Sequence, residues 1–346
     1  MSDTGFTASQ HGERPFFAGV DVGGTNIKLG IVDNQGQTIL KHSIPTDEEQ
    51  GPAAAMRRVA DHLQAMLAEL GLPTESIDAV GLATPGTMDV KSGVLLHPHN
   101  LPHWWEFPIR DCLREACKYP VWFGNDANVA ALGEFWVGQG SEHHSIAFFT
   151  LGTGVGGGII IGSLTIDGEN STGSELGHTI IDFTETGRMC GCGQRGHLEA
   201  YASGKAVVQR TEEQLAKGIP SRLADRLVQE GELTPLMVAE EAERGDELAR
   251  EIVMDTAKYL GIGAVNIMHT VDPNAVIFGG AMNFGGSESE LGMEFLNRIR
   301  QEVRDRAFPV LVERTRIEFA TLGGDAGYIG AAGLARTGLR SSSTND

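Results

Sequence analysis

The feature that most constrains this fold is a pattern that occurs twice. An apolar run, Phe16–Asp21, leads into Gly23-Gly24 and then into a second apolar run, Ile27–Val32. Much later, Ser145–Leu151 leads into Gly152-Thr153-Gly154 and then into Val155–Ile161. Short apolar, β-branched runs joined by glycine turns read as strand pairs. The first pair continues through the turn residues Asn34-Gln35-Gly36-Gln37 to a third strand, Thr38–His42. A long helix over 52–70 follows, with Met56, Val59, Leu63, Met66, Leu67 and Leu70 at helical spacing. Further strands are expected at 78–83, 121–123, 275–278 and 316–320. Helices are expected at 109–118, over most of 204–270, and at 288–307 and 326–335. Strands mixed with helices in both halves imply an α/β protein of two similar domains, with a ligand cleft between them. The expected division is a disordered tail at 1–15, an N-terminal α/β domain at 16–123, and a larger C-terminal α/β domain at 124–325 that carries a metal loop at 178–197. The last helix, about 326–336, is expected to pack back on the first domain, with the polar end after Arg336 frayed.

Composition narrows the function. Glycine accounts for 46 of 346 residues, nearly twice the usual share of about 7%. It clusters in short runs, as turns and ligand loops do. The formal charge of −19 argues against a nucleic-acid partner, which would need a basic face. No apolar run approaches the ~20 residues that span a bilayer, so no membrane partner is expected. The first 15 residues lack the basic start and apolar middle of a signal peptide, which makes the cytoplasm the expected location. Four cysteines in a chain of this length do not make a disulfide scaffold.

Four groups of residues carry chemistry. In Asp21-Val22-Gly23-Gly24-Thr25-Asn26-Ile27-Lys28, the glycines let backbone N–H groups approach phosphate oxygens. Thr25 adds a hydroxyl, Lys28 a positive charge, and Asp21 a carboxylate placed to hold Mg²⁺ through water. The same residues also suit a plain hairpin turn. The Gly152-Thr153-Gly154 turn repeats the setting; its continuation Gly156-Gly157-Gly158 is read either as phosphate loop or as close backbone packing. Asn125-Asp126 follows a short strand and precedes a helix. Asp126 there is either a general base or a helix cap. His178, Cys190, Cys192 and His197 bring four zinc-type ligands together among glycines, and four protein ligands leave no open position, which makes the metal structural. Glu175 and Glu199 flank that cluster, either gripping sugar hydroxyls or solvated.

Taken together and in this order, the motifs resemble those of the ROK kinases, within the superfamily of sugar kinases, heat-shock chaperone ATPases and actin. The resemblance runs from about residue 16 to 336. It implies two ribonuclease H-like (actin-like ATPase) domains and the phosphorylation of a hexose by ATP with Mg²⁺, most simply glucose to glucose 6-phosphate. Mannose, fructose, N-acetylmannosamine or N-acetylglucosamine are the alternative acceptors, and a non-catalytic sugar sensor is the alternative class. By resemblance, Asp21–Lys28 and Leu151–Gly158 are the two phosphate loops and Asp126 is the catalytic base. Glu175 and His178 of Glu-Leu-Gly-His contact the sugar, the His also reaching zinc. Glu199, Asn100 and Asn125 bind sugar, and Gly279-Gly280 lies beside the adenosine. Relatives close the zinc loop with a cysteine where this chain has His197; imidazole is a competent zinc ligand, so zinc is still expected. Twenty residues precede Asp21, too few for the helix-turn-helix of the family's repressors. A homodimer is implied by the same resemblance.

Overall fold

The computed structural model describes residues 14–343 apart from His99 and Ser163. Most of the expected N-terminal tail, residues 1–13, lies outside the described residues. The chain forms two compact units: 1–141 with 165–173 and 324–346, and 142–164 with 174–323.

The first unit is built on β1 (Phe16–Val22), β2 (Asn26–Val32), β3 (Thr38–Pro45), β4 (Ile77–Thr84) and β7 (Val121–Asn125) in the order β3-β2-β1-β4-β7. The first three strands are antiparallel, and β1, β4 and β7 run parallel. Between β4 and β7 lies a small hairpin, β5 (Thr87–Asp89) with β6 (Val94–His97), which the sequence reading did not anticipate. One face of the sheet buries α1 (Pro52–Glu69) and α2 (Ile109–Cys117). Met56, Val59, Leu63, Met66 and Leu67 of α1 are all buried, as the helical spacing requires. Pro52 starts that helix where its missing N–H costs nothing.

The other face takes α3 (Asp126–Val137) and α11 (Ala326–Ser343). Here the glycine excess has a purpose other than ligand loops. A Cβ at Gly19 would lie 1.8 Å from the Tyr328 carbonyl oxygen, and one at Gly81 would lie 1.7 Å from that of Ala331. Bare backbone at these sheet positions lets α11 lie directly on β1 and β4. That packing corrects two expectations. The division falls after Ser141, not near residue 124, because α3 belongs with α11. The chain after Arg336 continues as helix to Ser343 instead of fraying.

The second unit repeats the plan with β8 (Ser145–Leu151), β9 (Val155–Ile161), β10 (Leu164–Thr165), β11 (Ala275–Gly279) and β12 (Arg316–Phe319), ordered β10-β9-β8-β11-β12. Its third strand is only two residues long. The region expected to be mostly helical resolves into α4 (Glu199–Ala202), α5 (Gly204–Ala216), α6 (Leu223–Glu230), α7 (Pro235–Glu243) and the long α8 (Glu247–Val271). Helices α9 (Glu290–Arg306) and α10 (Pro309–Arg314) follow β11. Both sheets have the ribonuclease H-like strand order, so the chain has the two-domain actin-like ATPase fold.

Candidate functional site

In the first unit the residues singled out gather at the carboxyl ends of β1 and β7, where α/β proteins bind ligands. Asp21 pairs with Lys28 across the β1–β2 ladder. The intervening turn is closed by Gly23 N–H donating to the Asn26 carbonyl at 2.9 Å. Burial pushes the Asp21 pKa above the usual carboxylate range, while the nearby Lys28 ammonium pulls it down. The first turn of α11 sits directly against this carboxylate: a Cβ at Gly327 would lie 2.2 Å from Asp21 Oδ2. A helix N-terminus favours a negative charge there. Lys28 Nζ donates to the Gly324 carbonyl at 2.7 Å, which ties β2 to the segment entering α11. Thr25 is exposed, and exposed Asn100 lies beside Gly24, whose absent Cβ would sit 3.6 Å from Asn100 Cβ.

Asn125 and Asp126 both stand at the start of α3. Asn125 is the helix cap: its Oδ1 accepts from Ala127 N–H at 3.0 Å and from Asn128 N–H at 3.3 Å. Asp126 is the first helical residue, and its Oδ1 also accepts from Ala127 N–H, at 2.9 Å. Asn125 thus caps two amides, and Asp126 shares the first of them.

In the second unit, Gly152 N–H donates to Gly154 O at 3.1 Å and Gly152 O accepts from Gly204 N–H at 2.8 Å. Glu199 reaches this turn from the start of α4: its Oε2 accepts from Val155 N–H at 3.0 Å, and a Cβ at Gly154 would lie 2.4 Å from that oxygen. Gly154 is therefore needed for Glu199 to approach. The other carboxylate oxygen, Oε1, accepts from the Cys190 thiol at 3.5 Å. Gly157 serves packing, as one reading allowed; its Cβ would collide with Ser174 O and Leu176 Cγ at 2.5 and 2.4 Å. Gly279 and Gly280 end β11 beside the same turn. Gly280 has φ 91°, and a Cβ there would lie 2.2 Å from the Leu151 carbonyl oxygen.

His178, Cys190, Cys192 and His197 come together with one ligand atom of each within 4.8 Å of all the others. Bond lengths of about 2.0–2.3 Å set ligand atoms roughly 3.3–3.8 Å apart around a tetrahedral zinc, so a small contraction completes the site. Cys192 Sγ and His197 Nδ1 are already 3.2 Å apart. His178 Nδ1 pairs with Glu175 Oε2 at 3.3 Å, the orienting contact that metal-bound imidazoles usually have. That hydrogen bond raises the His178 pKa, whereas burial and then the His178 charge lower that of His197. Burial pushes the Cys190 thiol up to about 12, and a bound cation would favour its thiolate. His197 in place of the family cysteine thus fits the cluster.

Other supporting side chains carry no sequence signal. Thr46 braces the first turn, and Glu48 and His103 pair nearby in the same unit. Around the metal loop, Tyr201 donates to Asp182 at 2.6 Å and accepts from Arg188 N–H at 2.7 Å. Arg188 forms a two-pronged ion pair with Glu213 at 2.7 and 2.8 Å. No short motif announces any of these. Their partners are distant in sequence, and each residue type is ordinary on a surface.

A family model described as the ROK family matches residues 17–338. A glucokinase of Halalkalibacterium halodurans is 34% identical over 321 residues, covering 93% of this chain and 95% of that protein. A ROK hexokinase structure from Thermus thermophilus aligns with a TM-score of 0.78 at 31% identity, covering 94% of this chain and 99% of its own. A ROK family glucokinase from Streptomyces griseus, solved in complex with glucose and AMPPNP, gives 0.73 at 33% identity, with 93% and 99% covered. The match spans both units and every motif described above, and the chain belongs to the ROK family.

Proposed function

We propose that this protein transfers the γ-phosphoryl group of ATP to glucose, giving glucose 6-phosphate and ADP. The observation that carries the reading is Asp126, a carboxylate placed at the junction of β7 and α3 beside the Asn125 cap. As the sugar 6-hydroxyl oxygen attacks the γ-phosphorus, its proton passes to Asp126 and the bond to the ADP oxygen breaks. Phosphoryl transfer depends on positioning and charge neutralisation more than on covalent help. Asn100, Asn125, Glu175, His178 and Glu199 would hold the sugar hydroxyls. Gly23, Gly24, Thr25, Lys28, Gly152, Thr153 and Gly154 would meet the phosphates, and Gly279-Gly280 the adenosine. Bound Mg²⁺, held by Asp21 through water, would neutralise the phosphates. Structural zinc on His178, Cys190, Cys192 and His197 would fix the loop that delivers Glu199. We assign the enzyme to the cytoplasm, from the absence of signal-peptide features in its first 15 residues, and to a homodimer, as the family resemblance implies.

A coupled ADP-release assay across glucose, mannose, fructose, N-acetylglucosamine and N-acetylmannosamine tests the reading, with Asp126→Asn as control. Glucose is expected to give the highest kcat/KM. Asp126→Asn is expected to lose about 10²–10⁴ in kcat with its glucose dissociation constant little changed. Wild-type turnover in that variant would disprove the base, and no ADP release with any hexose would disprove the kinase.

A further inference from the structure

Three segments of the first unit close a ring of contacts. The turn after β1 is held by buried Thr46, whose N–H donates to Thr25 O at 2.9 Å and whose hydroxyl donates to Gly23 O at 2.7 Å. Two residues on, both carboxylate oxygens of Glu48 are engaged. Oε1 accepts from His103 N–H at 2.6 Å, and Oε2 pairs with His103 Nδ1 at 2.6 Å. The Glu48 carbonyl accepts from the indole N–H of Trp104 at 3.1 Å, and Trp104 is fully buried. The ring is completed where Asn100, three residues before His103, stands beside Gly24, on which an added Cβ would lie 3.6 Å from Asn100 Cβ.

We infer that Glu48 and His103 form a clasp that fixes the Asn100 loop relative to the first glycine turn, and so set hexose affinity as positioning residues. The inference rests on the reading of Asn100 as a sugar ligand. An exposed ion pair between two flexible side chains is worth little. This one differs because one of its two bonds goes to the main chain of the loop, so the carboxylate fixes backbone as well as a side chain. Charge-assisted bonds of this kind are stronger than neutral ones, and the Glu48 hydrogen bond raises the His103 pKa. Trp104 anchors the loop at its buried end. The clasp adds the orientation of the exposed end, where Asn100 stands. Through Thr46, the same strap reaches the carbonyls of the turn proposed to meet phosphate. Sugar and phosphate groups in this unit thus share one support.

The test compares Glu48→Ala, His103→Ala and Glu48→Gln. Hexose KM is expected to rise about tenfold in Glu48→Ala and about threefold in His103→Ala, with kcat within about twofold of wild type. Glu48→Gln keeps an acceptor for the His103 amide and is expected to recover part of the loss. Amide hydrogen exchange of the ligand-free proteins is read in parallel. Exchange at 22–27 and 100–105 is expected to quicken in both alanine variants, with the second unit unchanged. Unchanged exchange at 22–27 overturns the clasp, as does a uniform rise across both units, which would mark a general folding role. Unchanged hexose KM with quickened exchange overturns the link to affinity. If the wild type phosphorylates no hexose, the kinase reading fails, and the exchange comparison still decides the clasp.

Discussion

The turn after β1 and the turn after β8 share a strand–glycine–strand plan but are braced by different means. The first is held by its own sheet: Thr46, just past β3, bonds two of its carbonyls, and Lys28 bonds the segment entering α11. In the second unit β10 is only two residues long. The brace there arrives as a side chain, Glu199, whose other oxygen accepts from Cys190, one of the four proposed zinc ligands. The stems differ as well. Asp21 pairs with Lys28 in the first, whereas the matching positions of the second are Thr150 and Gly156. A repeated motif therefore does not specify its own support. The geometry of the first turn follows from the sheet, and that of the second from a loop that a metal would tie.

Removing the proposed zinc ligands should separate the two turns most strongly. Cys192→Ala or His197→Ala should abolish zinc in elemental analysis and release Glu199 from its seat. Hexose KM and nucleotide KM should then both rise, by about 10–100-fold, the usual cost of disturbing a metal-site support. Amide exchange should quicken at 152–156 and stay unchanged at 22–27. Equal loosening of both turns would erase the contrast.

A smaller effect comes from adding one methyl group to each turn. In Gly154→Ala the Cβ meets Glu199 Oε2 at 2.4 Å, whereas in Gly24→Ala it meets Asn100 at an ordinary 3.6 Å. Pushing Glu199 Oε2 off the Val155 N–H predicts a loss of about 1 kcal/mol for Gly154→Ala in thermal unfolding and less than about 0.5 kcal/mol for Gly24→Ala. Equal losses would mean that Glu199 does not depend on the bare backbone.

The smallest effect tests the charged stem. Burial lifts the Asp21 pKa above its ordinary 3.8, so the folded state holds the proton more tightly than the unfolded chain. The resulting stabilisation is complete below pH 3.8 and is lost as pH rises through the raised value, above which the fold carries a buried anion. Asp21→Asn should therefore raise the melting temperature of the ligand-free protein at pH 7, with the gain shrinking toward pH 4. The same variant should weaken binding of the magnesium nucleotide. A pH-independent gain would place the cause elsewhere.

Much of this was legible in the sequence because local chemistry specifies it. Ser145–Leu151 and Val155–Ile161 form strands at the bounds their apolar runs marked. The buried positions of α1 follow its helical spacing. The four zinc-type ligands meet as their cysteine–glycine setting required. Other features stayed hidden for a common reason. Gly19 and Gly81 sit inside strands, where a glycine reads as a weak point until α11, more than 240 residues on in the chain, is laid across them. Asn125 and Asp126 are both good caps, and only the bonds from the Ala127 and Asn128 amides show that Asn125 takes the role.

Residue types close together along the chain fix the duplicated α/β plan, the helix faces and the ligand cluster, because each depends only on local spacing. Tertiary structure alone decided what braces each turn, where the units divide, and that Glu48 meets His103 across 55 positions. Those contacts join groups with no mutual spacing rule, and their free energy exists only once the chain has brought them within bonding distance.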